Sequence, residues 1–400
     1  MVLLASKEFC SACGACMSVC HKSAISMKSD EIGQISPFID TGRCIECHAC
    51  EKVCPVLSSP PSEKPRKAYA AWSLDKEQRH TSASGGVAYE LYRYALNHGY
   101  KVVGASQNED FSVSLKMASS EEEIMPFKNS KYVFSECYTL YPQLREALQR
   151  SEKVLIVGMP CQIAAMRNLY AKYADQIVFV EILCHGMVPY SYLQQHVSSL
   201  EQRLQKKAFS MSFRAPETYT YTFTFTLYDD TGKCFYAARK FDGDTYQIGY
   251  STGVIYFENC YHCCFAKRER VGDIILCDFY GLGNKVPFQH DLHEVSCVIT
   301  VTDKGQEFMN QVFEANVLYR EERPVSEAVA GNPRLRIPSP KTKKRLEFEK
   351  NILMSHGDYE QAIAPLSVAF MKTVNRSKMY YHWQGVKYRL RKLLRKLFKK

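Results

Sequence analysis

Continuous runs of apolar residues mark the centre of the chain. Residues 154–157 and 177–180 are runs of this kind, which is typical of strands that are buried on both faces of a sheet. Residues 163–173 lie between them and have the apolar spacing of a helix. Two apolar strands joined by a helix predict a parallel βαβ crossover, in which both strands end at the same edge of the sheet.

The segments on either side of this unit predict further elements. Strands are expected at residues 67–72, 101–105, 182–183, 274–277 and 295–301, and helices at residues 87–98 and 304–313. Asp303 is expected to cap the second of these helices.

A different pattern occupies residues 219–228, where aromatic or aliphatic residues alternate with threonine. This period of two predicts a strand, and the turn at residues 229–232 leads into a second strand at residues 234–241. The body is therefore expected to combine α/β and α+β features, with an antiparallel hairpin beside a parallel crossover.

Composition shifts divide the chain into regions. Residues 58–66 form a linker rich in proline and serine, between a cysteine-rich module at residues 1–57 and the α/β body. The body is expected in two regions, residues 67–150 and 151–345, followed by a helical basic tail at residues 346–400.

The formal net charge of +10 is concentrated in the tail. Residues 371–400 contain eleven Lys and Arg and no Asp or Glu, so the rest of the chain carries 41 basic and 42 acidic residues. This distribution argues against a nucleic-acid-binding surface. The chain has no run of eighteen apolar residues and no recognisable signal segment, which favours a cytoplasmic protein in a reducing compartment.

Within the tail, residues 383–400 have leucines on one helical stripe and cations on the other face. Such a helix is suited to lie on an anionic membrane surface, with the protein peripheral on the inner face of the cell membrane. The alternative is that its leucines pack on the body or on a partner subunit. Both hypotheses depend on the same stripe of leucines.

Eight cysteines form two runs with the same spacing, C-x2-C-x2-C-x3-C. They are Cys10, Cys13, Cys16 and Cys20, then Cys44, Cys47, Cys50 and Cys54. This is the spacing of bacterial ferredoxins with two [4Fe-4S] clusters, in which the fourth cysteine of each run binds the other cluster. A disulfide framework needs an oxidising compartment, and zinc usually binds well-separated cysteine pairs, so iron–sulfur clusters are favoured.

Two cysteines and a histidine outside these runs are candidates for chemistry. Cys161, at a helix start, and the pair Cys184 and His185 each follow a predicted parallel strand, and ligands bind at that edge of open α/β sheets. The alternative is that the cysteines are small buried fillers. The segment at residues 81–86, with its hydroxyls and glycines before a helix, is a candidate phosphate site or only a structural cap.

A second group of cysteines follows the hairpin. Cys260, Cys263, Cys264 and Cys277 have the spacing C-x2-C-C-x12-C, which would suit a third cluster or zinc. The alternative is a cysteine-rich loop packed on the strand that carries Cys277.

Several motifs together resemble the coenzyme F420 hydrogenase/dehydrogenase beta-subunit family. They are Ser82-Ala-Ser-Gly-Gly86, Ser130-Lys-Tyr-Val133, Gly158-Met-Pro-Cys-Gln-Ile163, Cys184-His-Gly186, Cys260-Tyr-His-Cys263 and the segment Gly272-Asp-Ile-Ile to Asp278-Phe-Tyr-Gly281. The resemblance covers most of residues 1–345. It implies an iron–sulfur flavoprotein with a mixed α/β flavin-binding body, in which FAD exchanges hydride with an organic substrate or a deazaflavin coenzyme.

Carried onto this sequence, the resemblance assigns a set of site residues. The expected FAD-binding residues are Ser84, Gly85, Gly86, Lys131, Pro160, Cys161 and Gln162. Cys161, Cys184 and His185 are the catalytic candidates, with His185 expected as an oriented structural or binding histidine rather than a proton donor. A redox partner protein, either a ferredoxin or an enzyme subunit, is expected, and two alternatives remain: a non-catalytic electron-transfer subunit, and a docking protein that has lost catalysis.

Overall fold

The computed structural model describes residues 2–377. The strands are β1 (Ile25–Ser29), β2 (Ile35–Ile39), β3 (Lys67–Ser73), β4 (Lys101–Gln107), β5 (Val113–Ala118), β6 (Ser135–Glu136), β7 (Val154–Gly158), β8 (Ile177–Ile182), β9 (Ser210–Ser212), β10 (Phe225–Tyr228), β11 (Cys234–Ala238), β12 (Ile274–Asp278), β13 (Ser296–Thr300) and β14 (Leu318–Arg323).

The helices alternate with the strands through most of the chain. They are α1 (Ala15–Ser18), α2 (Ala49–Val53), α3 (Lys76–Thr81), α4 (Val87–Asn97), α5 (Glu121–Ile124), α6 (Tyr141–Gln149), α7 (Pro160–Leu169), α8 (Tyr190–Leu204), α9 (Thr245–Thr252), α10 (Glu258–Tyr261), α11 (Asp303–Glu314), α12 (Val325–Gly331), α13 (Lys343–Met354) and α14, described over residues 359–377. The amphipathic segment expected at residues 383–400 lies outside the described residues.

One mixed sheet organises the body, with the strand order β14-β3-β13-β12-β8-β7-β4-β5-β6. The strands β4, β7, β8 and β12 are parallel, and the β7-α7-β8 unit confirms the predicted crossover. Strand β3 lies between β13 and β14 and is antiparallel to both. The two expected regions at residues 67–150 and 151–345 therefore share one sheet.

Helices cover both faces of this sheet because its central strands are apolar on both sides. On one face, Leu91 of α4 and Met309 of α11 are fully buried against the sheet. On the other face, Leu144 of α6 and Ile163 of α7 pack against the same strands. The carboxyl ends of the parallel strands remain uncovered by these helices, which leaves that edge free for a site.

The expected strand over residues 219–228 is wrong in its first half. Tyr219 and Phe223 have positive φ angles of 64° and 56°, which an extended strand does not accommodate. Two 3₁₀ turns occupy Pro216–Thr218 and Thr220–Thr222, and only β10 pairs with β11 as an antiparallel hairpin. Alternation alone missed these turns because it does not report backbone hydrogen bonding.

Two other boundaries also differ from expectation. Asp303 is the first residue of α11, and the N-cap is Thr302, whose hydroxyl oxygen accepts a hydrogen bond from the Gly305 amide at 3.1 Å. The expected boundary between residues 345 and 346 falls inside α13. Helices α13 and α14 pack on the body, since Phe348, Ile352 and Tyr359 are fully buried.

A buried charged network fastens α14 to the body. The His196 ring on α8 bonds Glu360 of α14 at 2.7 Å through Nδ1 and Asp244 at 3.1 Å through Nε2. The Tyr236 hydroxyl donates to the same Asp244 carboxylate at 2.9 Å. Burial by itself lowers the pKa of His196, but the two carboxylates outweigh it and raise the pKa to about 9. The histidine is therefore a cation held between two anions at neutral pH.

This network predicts a pH-dependent stability. The folded-state pKa of about 9 exceeds the unfolded value of about 6.5. The stabilisation is therefore complete below about pH 6.5 and is lost as the pH rises through about 9. It amounts to about 3 kcal/mol at most. The thermal unfolding midpoint should fall across this range in the parent chain and fall less in His196→Gln. The exposed His356→Gln should behave like the parent, and equal pH slopes for both variants would contradict the prediction.

No helix within residues 2–377 is long and apolar enough to cross a membrane.

Candidate functional site

The two cysteine runs form matching turns in the N-terminal module. Ala12 and Glu46 occupy the same place in their runs and have positive φ angles of 52° and 53°. Gly14 and His48, two residues further on, also have positive φ angles, of 69° and 56°, and each precedes a short helix, α1 or α2. A turn that repeats the left-handed conformation at both positions curls the chain around a centre, as a cluster-binding loop requires.

The fourth cysteine of the second run lies beside the first run. Cys54 is an electrostatic neighbour that contributes to the raised pKa of Cys10, Cys13 and Cys16, after the larger effect of burial. Burial raises the pKa of Cys10 to about 12. Cys50 in turn neighbours Cys47. The geometry thus supports Cys54 as the fourth ligand of the first set, and the assignment of Cys20 to the second set stays a prediction from the spacing.

The crossed assignment predicts how single replacements differ. The first set is mostly buried, whereas Cys47 in the second set is exposed. Cys54→Ser and Cys20→Ser should each lose about four iron atoms, the content of one cubane cluster. The cluster that remains in Cys54→Ser should be the exposed one and should bleach faster in air than the cluster that remains in Cys20→Ser. The reverse order of bleaching rates would assign each fourth cysteine to its own run.

The N-terminal module docks tightly on the body. The Tyr141 hydroxyl of α6 donates to the Cys13 carbonyl oxygen at 2.7 Å, and Asn168 of α7 donates to the Ser58 carbonyl oxygen at 2.6 Å. A Cβ atom on Gly14 would meet Tyr138 at 2.6 Å, so this docking contact requires a glycine there. The first cluster site therefore lies against the body, whereas the second includes the exposed Cys47.

A large cavity opens at the carboxyl edge of the main sheet. Its volume is about 630 Å³, which is in the range of ligand pockets. Gly158 at the end of β7, Leu183 after β8 and Asp278 at the end of β12 line it, as expected for an open α/β sheet. Six of the expected site residues line this cavity, namely Ser84, Gly86, Lys131, Gln162, Cys184 and His185.

The side chains of two of these residues are already engaged. The Lys131 amine donates to the carbonyl oxygens of Pro126 at 2.7 Å and Lys128 at 2.8 Å, and burial lowers the pKa of this amine to about 7. The Gln162 amide accepts from the Met159 backbone and donates to Ser135. These two side chains hold the cavity wall in place, so their role is one of positioning.

Gly85 lies behind the cavity wall. A Cβ atom there would meet the Ala71 carbonyl oxygen at 2.6 Å and the Ser296 nitrogen at 3.0 Å. The Gly85 amide also donates to the Ser296 hydroxyl at 2.9 Å. The glycine is therefore needed for packing against β3 and β13, and its replacement would disturb the sheet before it disturbed a ligand.

Several buried polar atoms in the cavity have no hydrogen-bond partner within residues 2–377. They are Ser82 Oγ, Asn129 Oδ1, Gln247 Nε2 and Asn332 Oδ1. Ser82, Gln247 and Asn332 are each at most 4% exposed. Buried polar groups are nearly always satisfied, so these atoms fit a polar ligand that supplies the missing bonds.

A buried ion pair that sequence patterns did not identify forms another wall. Arg214 donates to both carboxylate oxygens of Asp278, at 3.2 and 2.5 Å, and to the Tyr132 hydroxyl at 2.8 Å. Asp278 belongs to one of the family motifs, but Arg214 comes from the loop after β9 and has no sequence signal. Burial, then the cations of Arg334 and Arg214, lower the pKa of the neighbouring His185, so this histidine is neutral at pH 7.

A smaller cavity connects this site with the N-terminal module. Cys13 of the first cluster run lines it, together with Cys161, Cys184, Cys260 and Cys263. Burial raises the pKa of Cys161 well above its usual value, and the next contributions come from Cys184, Cys263, Cys260 and Cys13. Pro160 lines the same smaller cavity rather than the large one.

Cys277, the fourth member of the expected cysteine group, does not lie with Cys260 and Cys263. Cys277 packs with Cys297 on β12 and β13, whereas Cys161 and Cys184 are the neighbours of Cys260 and Cys263. Cys264 is exposed. The cysteines that the structure brings to one cavity are thus Cys161, Cys184, Cys260 and Cys263, and not the group that the spacing predicts. Spacing alone could not find it because its members come from three separate segments.

Among the described residues, no three Cys, His, Asp or Glu side chains are close enough to hold a single metal ion. A cubane cluster binds its four cysteines at separate corners, so this finding concerns single ions only.

Models of known protein families match both the body and the N-terminal module. Residues 68–141 match "Coenzyme F420 hydrogenase/dehydrogenase, beta subunit N-term", and residues 151–325 match the C terminus of the same subunit. The chain belongs to the coenzyme F420 hydrogenase/dehydrogenase beta-subunit family. Residues 9–57 match a 4Fe-4S dicluster domain, so this family member carries that domain ahead of the two subunit regions.

Relatives of the chain are redox proteins of methanogens. It is 26% identical over 190 residues to a subunit of the F(420)H(2) dehydrogenase of Methanosarcina mazei, covering 44% of this chain and 53% of the relative. It is 23% identical to the beta subunit of the coenzyme F420 hydrogenase of Methanococcus voltae, over 63% of this chain and 83% of the relative. It is 29% identical to the coenzyme F420-dependent sulfite reductase of Methanocaldococcus jannaschii, over 40% of this chain and 25% of that protein.

One solved structure also aligns with the chain. It belongs to the F420-reducing [NiFe] hydrogenase complex of Methanosarcina barkeri, and the alignment covers 73% of this chain and 94% of that chain at 19% identity. The TM-score is 0.42, and at that value the likeness carries no argument.

Proposed function

We propose that the chain is an iron–sulfur flavoprotein oxidoreductase that passes electrons between its ferredoxin clusters and an organic substrate or deazaflavin coenzyme. The observation that carries the proposal is the cavity of about 630 Å³ with its unsatisfied buried polar atoms, adjoining the cysteine group of the smaller cavity. The names of the relatives, which include a dehydrogenase, a hydrogenase and a sulfite reductase, agree with a redox role.

FAD fits the large cavity by chemistry. Ser82 lies just before α4, a helix of eleven residues, and its unsatisfied hydroxyl together with the first backbone amides suits a phosphate group. Gln247 and Asn332 would supply a donor and an acceptor to the polar edge of a ring. When bound, a flavin supplies the exchange between two-electron hydride chemistry and single-electron steps.

The chain's own residues would hold and orient the bound molecules. Lys131 and Gln162 fix the loops on either side of the cavity, and Arg214 keeps Asp278 ionised by holding the pKa of that carboxyl below its usual value against the opposing effect of burial. Cys184 and His185 line both cavities and therefore separate the substrate side from the cluster side. His185, neutral and exposed within the cavities, is suited to bind a substrate group rather than to donate a proton.

We extend the proposal to a third [4Fe-4S] cluster held by Cys161, Cys184, Cys260 and Cys263. Cys13 lines the same smaller cavity, so a cluster there would stand between the first ferredoxin cluster and the large cavity. Single electrons would then have a continuous route through the molecule. A catalytic role for Cys161 or Cys184 gives way to this ligand role. The ferredoxin module, with its second cluster site at the surface, would meet the redox partner protein.

The test is the cofactor content of protein purified without oxygen. We expect about one flavin and about twelve iron atoms per chain, from three cubane clusters. Gln247→Leu removes an unsatisfied amide and should weaken flavin binding by about tenfold, the effect of one lost hydrogen bond, with the iron content unchanged. Gln149→Leu makes the same change at an exposed site and should retain flavin. Clusters without any flavin would instead identify a non-catalytic electron-transfer subunit.

A further inference from the structure

Cys277 and Cys297 stand directly opposite each other on neighbouring antiparallel strands, β12 and β13. Opposed residues in such a pair direct their side chains to the same face of the sheet. Their Cα atoms are about 4.5 or 5.5 Å apart, depending on the type of pair. Both distances fall in the range of about 4.4–6.8 Å that a disulfide spans. The two side chains are also close enough to interact, since Cys277 contributes to the raised pKa of Cys297 after the larger effect of burial. A disulfide could therefore form without moving either strand.

The two thiols differ in access. Cys277 is partly exposed and lines the large cavity, whereas Cys297 is fully buried beside it. Both pack in the same apolar cluster, between β3, β12 and α12. A reagent that enters the cavity therefore reaches Cys277 first, and Cys297 can be reached only through Cys277.

The pair lies between two walls of the cavity. Asp278, which follows Cys277, holds Arg214 in its buried ion pair. Ser296, which precedes Cys297, accepts the Gly85 amide, and the Val295 carbonyl oxygen accepts the Ser84 hydroxyl at 2.9 Å. A covalent bond between the two cysteines would thus link β12, whose Asp278 holds Arg214, to β13, which supports the loop that contains Ser84.

We infer that Cys277 and Cys297 are a reversible dithiol–disulfide pair in the cavity wall, oxidised by low-molecular-weight disulfides. The Cys277 thiolate attacks one sulfur of the disulfide, forms a mixed disulfide and releases the first thiol. The Cys297 thiolate then attacks the Cys277 sulfur and releases the second thiol. Two protein thiols are oxidised, one small disulfide is reduced, and both protein protons end on the released thiols.

The inference goes beyond the proposed function and does not depend on bound flavin. It predicts that the disulfide forms slowly, because the second step needs the Cys297 thiolate and burial raises the pKa of Cys297 well above its usual value. Disulfide formation should accordingly become faster as the pH rises. Dithiothreitol should restore both thiols.

The experiment is thiol trapping on the full chain, purified without oxygen and then treated with oxidised glutathione. Free thiols are blocked with N-ethylmaleimide, and peptides are identified by mass. We expect a peptide pair linked through Cys277 and Cys297, lighter than the sum of the reduced peptides by the mass of two hydrogen atoms. Cys234, exposed on β11, serves as an internal reference and should carry glutathione.

A variant isolates the second step. In Cys297→Ser, or Cys297→Ala if the serine variant does not fold, glutathione should stay on Cys277 because the second thiol is absent. Cys234 shows when the reaction with glutathione is complete. If Cys277 of the parent chain carries glutathione or maleimide at that point, the inference is overturned. The linked peptide is scored whether or not the preparation contains flavin, so this outcome and the failure of the proposed function are distinguishable.

Discussion

Cys263→Ser is expected to lower the iron content of the purified chain from about twelve to about eight atoms, leaving both ferredoxin clusters in place. Cys263 is partly buried beside Cys161, Cys184 and Cys260 in the smaller cavity, and no residue of the two ferredoxin runs would be changed. Loss of one thiolate ligand removes a corner of the proposed third cluster. Sulfide should fall with iron in equal number, because each cubane contains as many sulfides as irons.

The loss of electron transfer in this variant should be larger than the loss of iron. The smaller cavity is lined both by Cys13 of the ferredoxin module and by residues of the large cavity. Without the middle cluster, the proposed route is interrupted, while both of its ends remain intact. Reductive titration with dithionite should show one electron fewer per chain, and the spectrum of the remaining paramagnetic centres should be that of two ferredoxin clusters.

A matched control lies next in the chain. Cys264 is exposed and outside the group of four, so Cys264→Ser should retain the full iron content and take up the same number of electrons as the parent. If Cys263→Ser also retains the parent's iron content, the third cluster is absent. If Cys264→Ser loses iron as well, the assignment of the group is wrong.

Glu181→Gln is expected to destabilise the fold by about 3–5 kcal/mol, the effect of breaking a fully buried ion pair. Glu181 is on β8, and its carboxylate accepts from Arg270 at 2.9 Å and from the Val271 amide at 2.8 Å. Arg270 also donates to the Phe265 carbonyl oxygen at 2.7 Å. This pair therefore fastens the loop that carries Cys260 and Cys263 to the main sheet.

The same contact makes Glu181 a positioning residue for the cysteine group. In the variant, the Arg270 charge remains buried with only an amide opposite it, and the loop should loosen. We expect a lower thermal unfolding midpoint together with partial loss of iron, beginning with the proposed third cluster. A merely structural role would lower the midpoint without altering the ratio of iron to protein.

An exposed pair provides the comparison. Glu322 on β14 lies 3.7 Å from Lys67, and both side chains are at least half exposed. Glu322→Gln should change stability by less than about 1 kcal/mol, since exposed ion pairs contribute little. A Glu181→Gln midpoint equal to that of Glu322→Gln would contradict the prediction.

Elements whose signal is local could be predicted before the fold was known. The two cysteine runs specify their turns through spacing, and the apolar runs at β7 and β8 specify a parallel crossover because strands buried on both faces must be apolar throughout. The expected positions of Cys184 and His185 at the carboxyl edge followed from the same rule. In each case the information lies within a few consecutive residues, so it can be read before the chain folds.

The tertiary structure alone decided which distant groups meet. Cys161 and Cys184 join Cys260 and Cys263, Cys277 instead joins Cys297, and Arg214 reaches Asp278. Gly85 and Gly14 lie so close to other segments that a side chain at either position would collide with them. These partners are separated by many residues, and their approach depends on sheet order and on helix docking. The spacing of residues along a chain fixes local backbone geometry, but only packing fixes which side chains share a cavity.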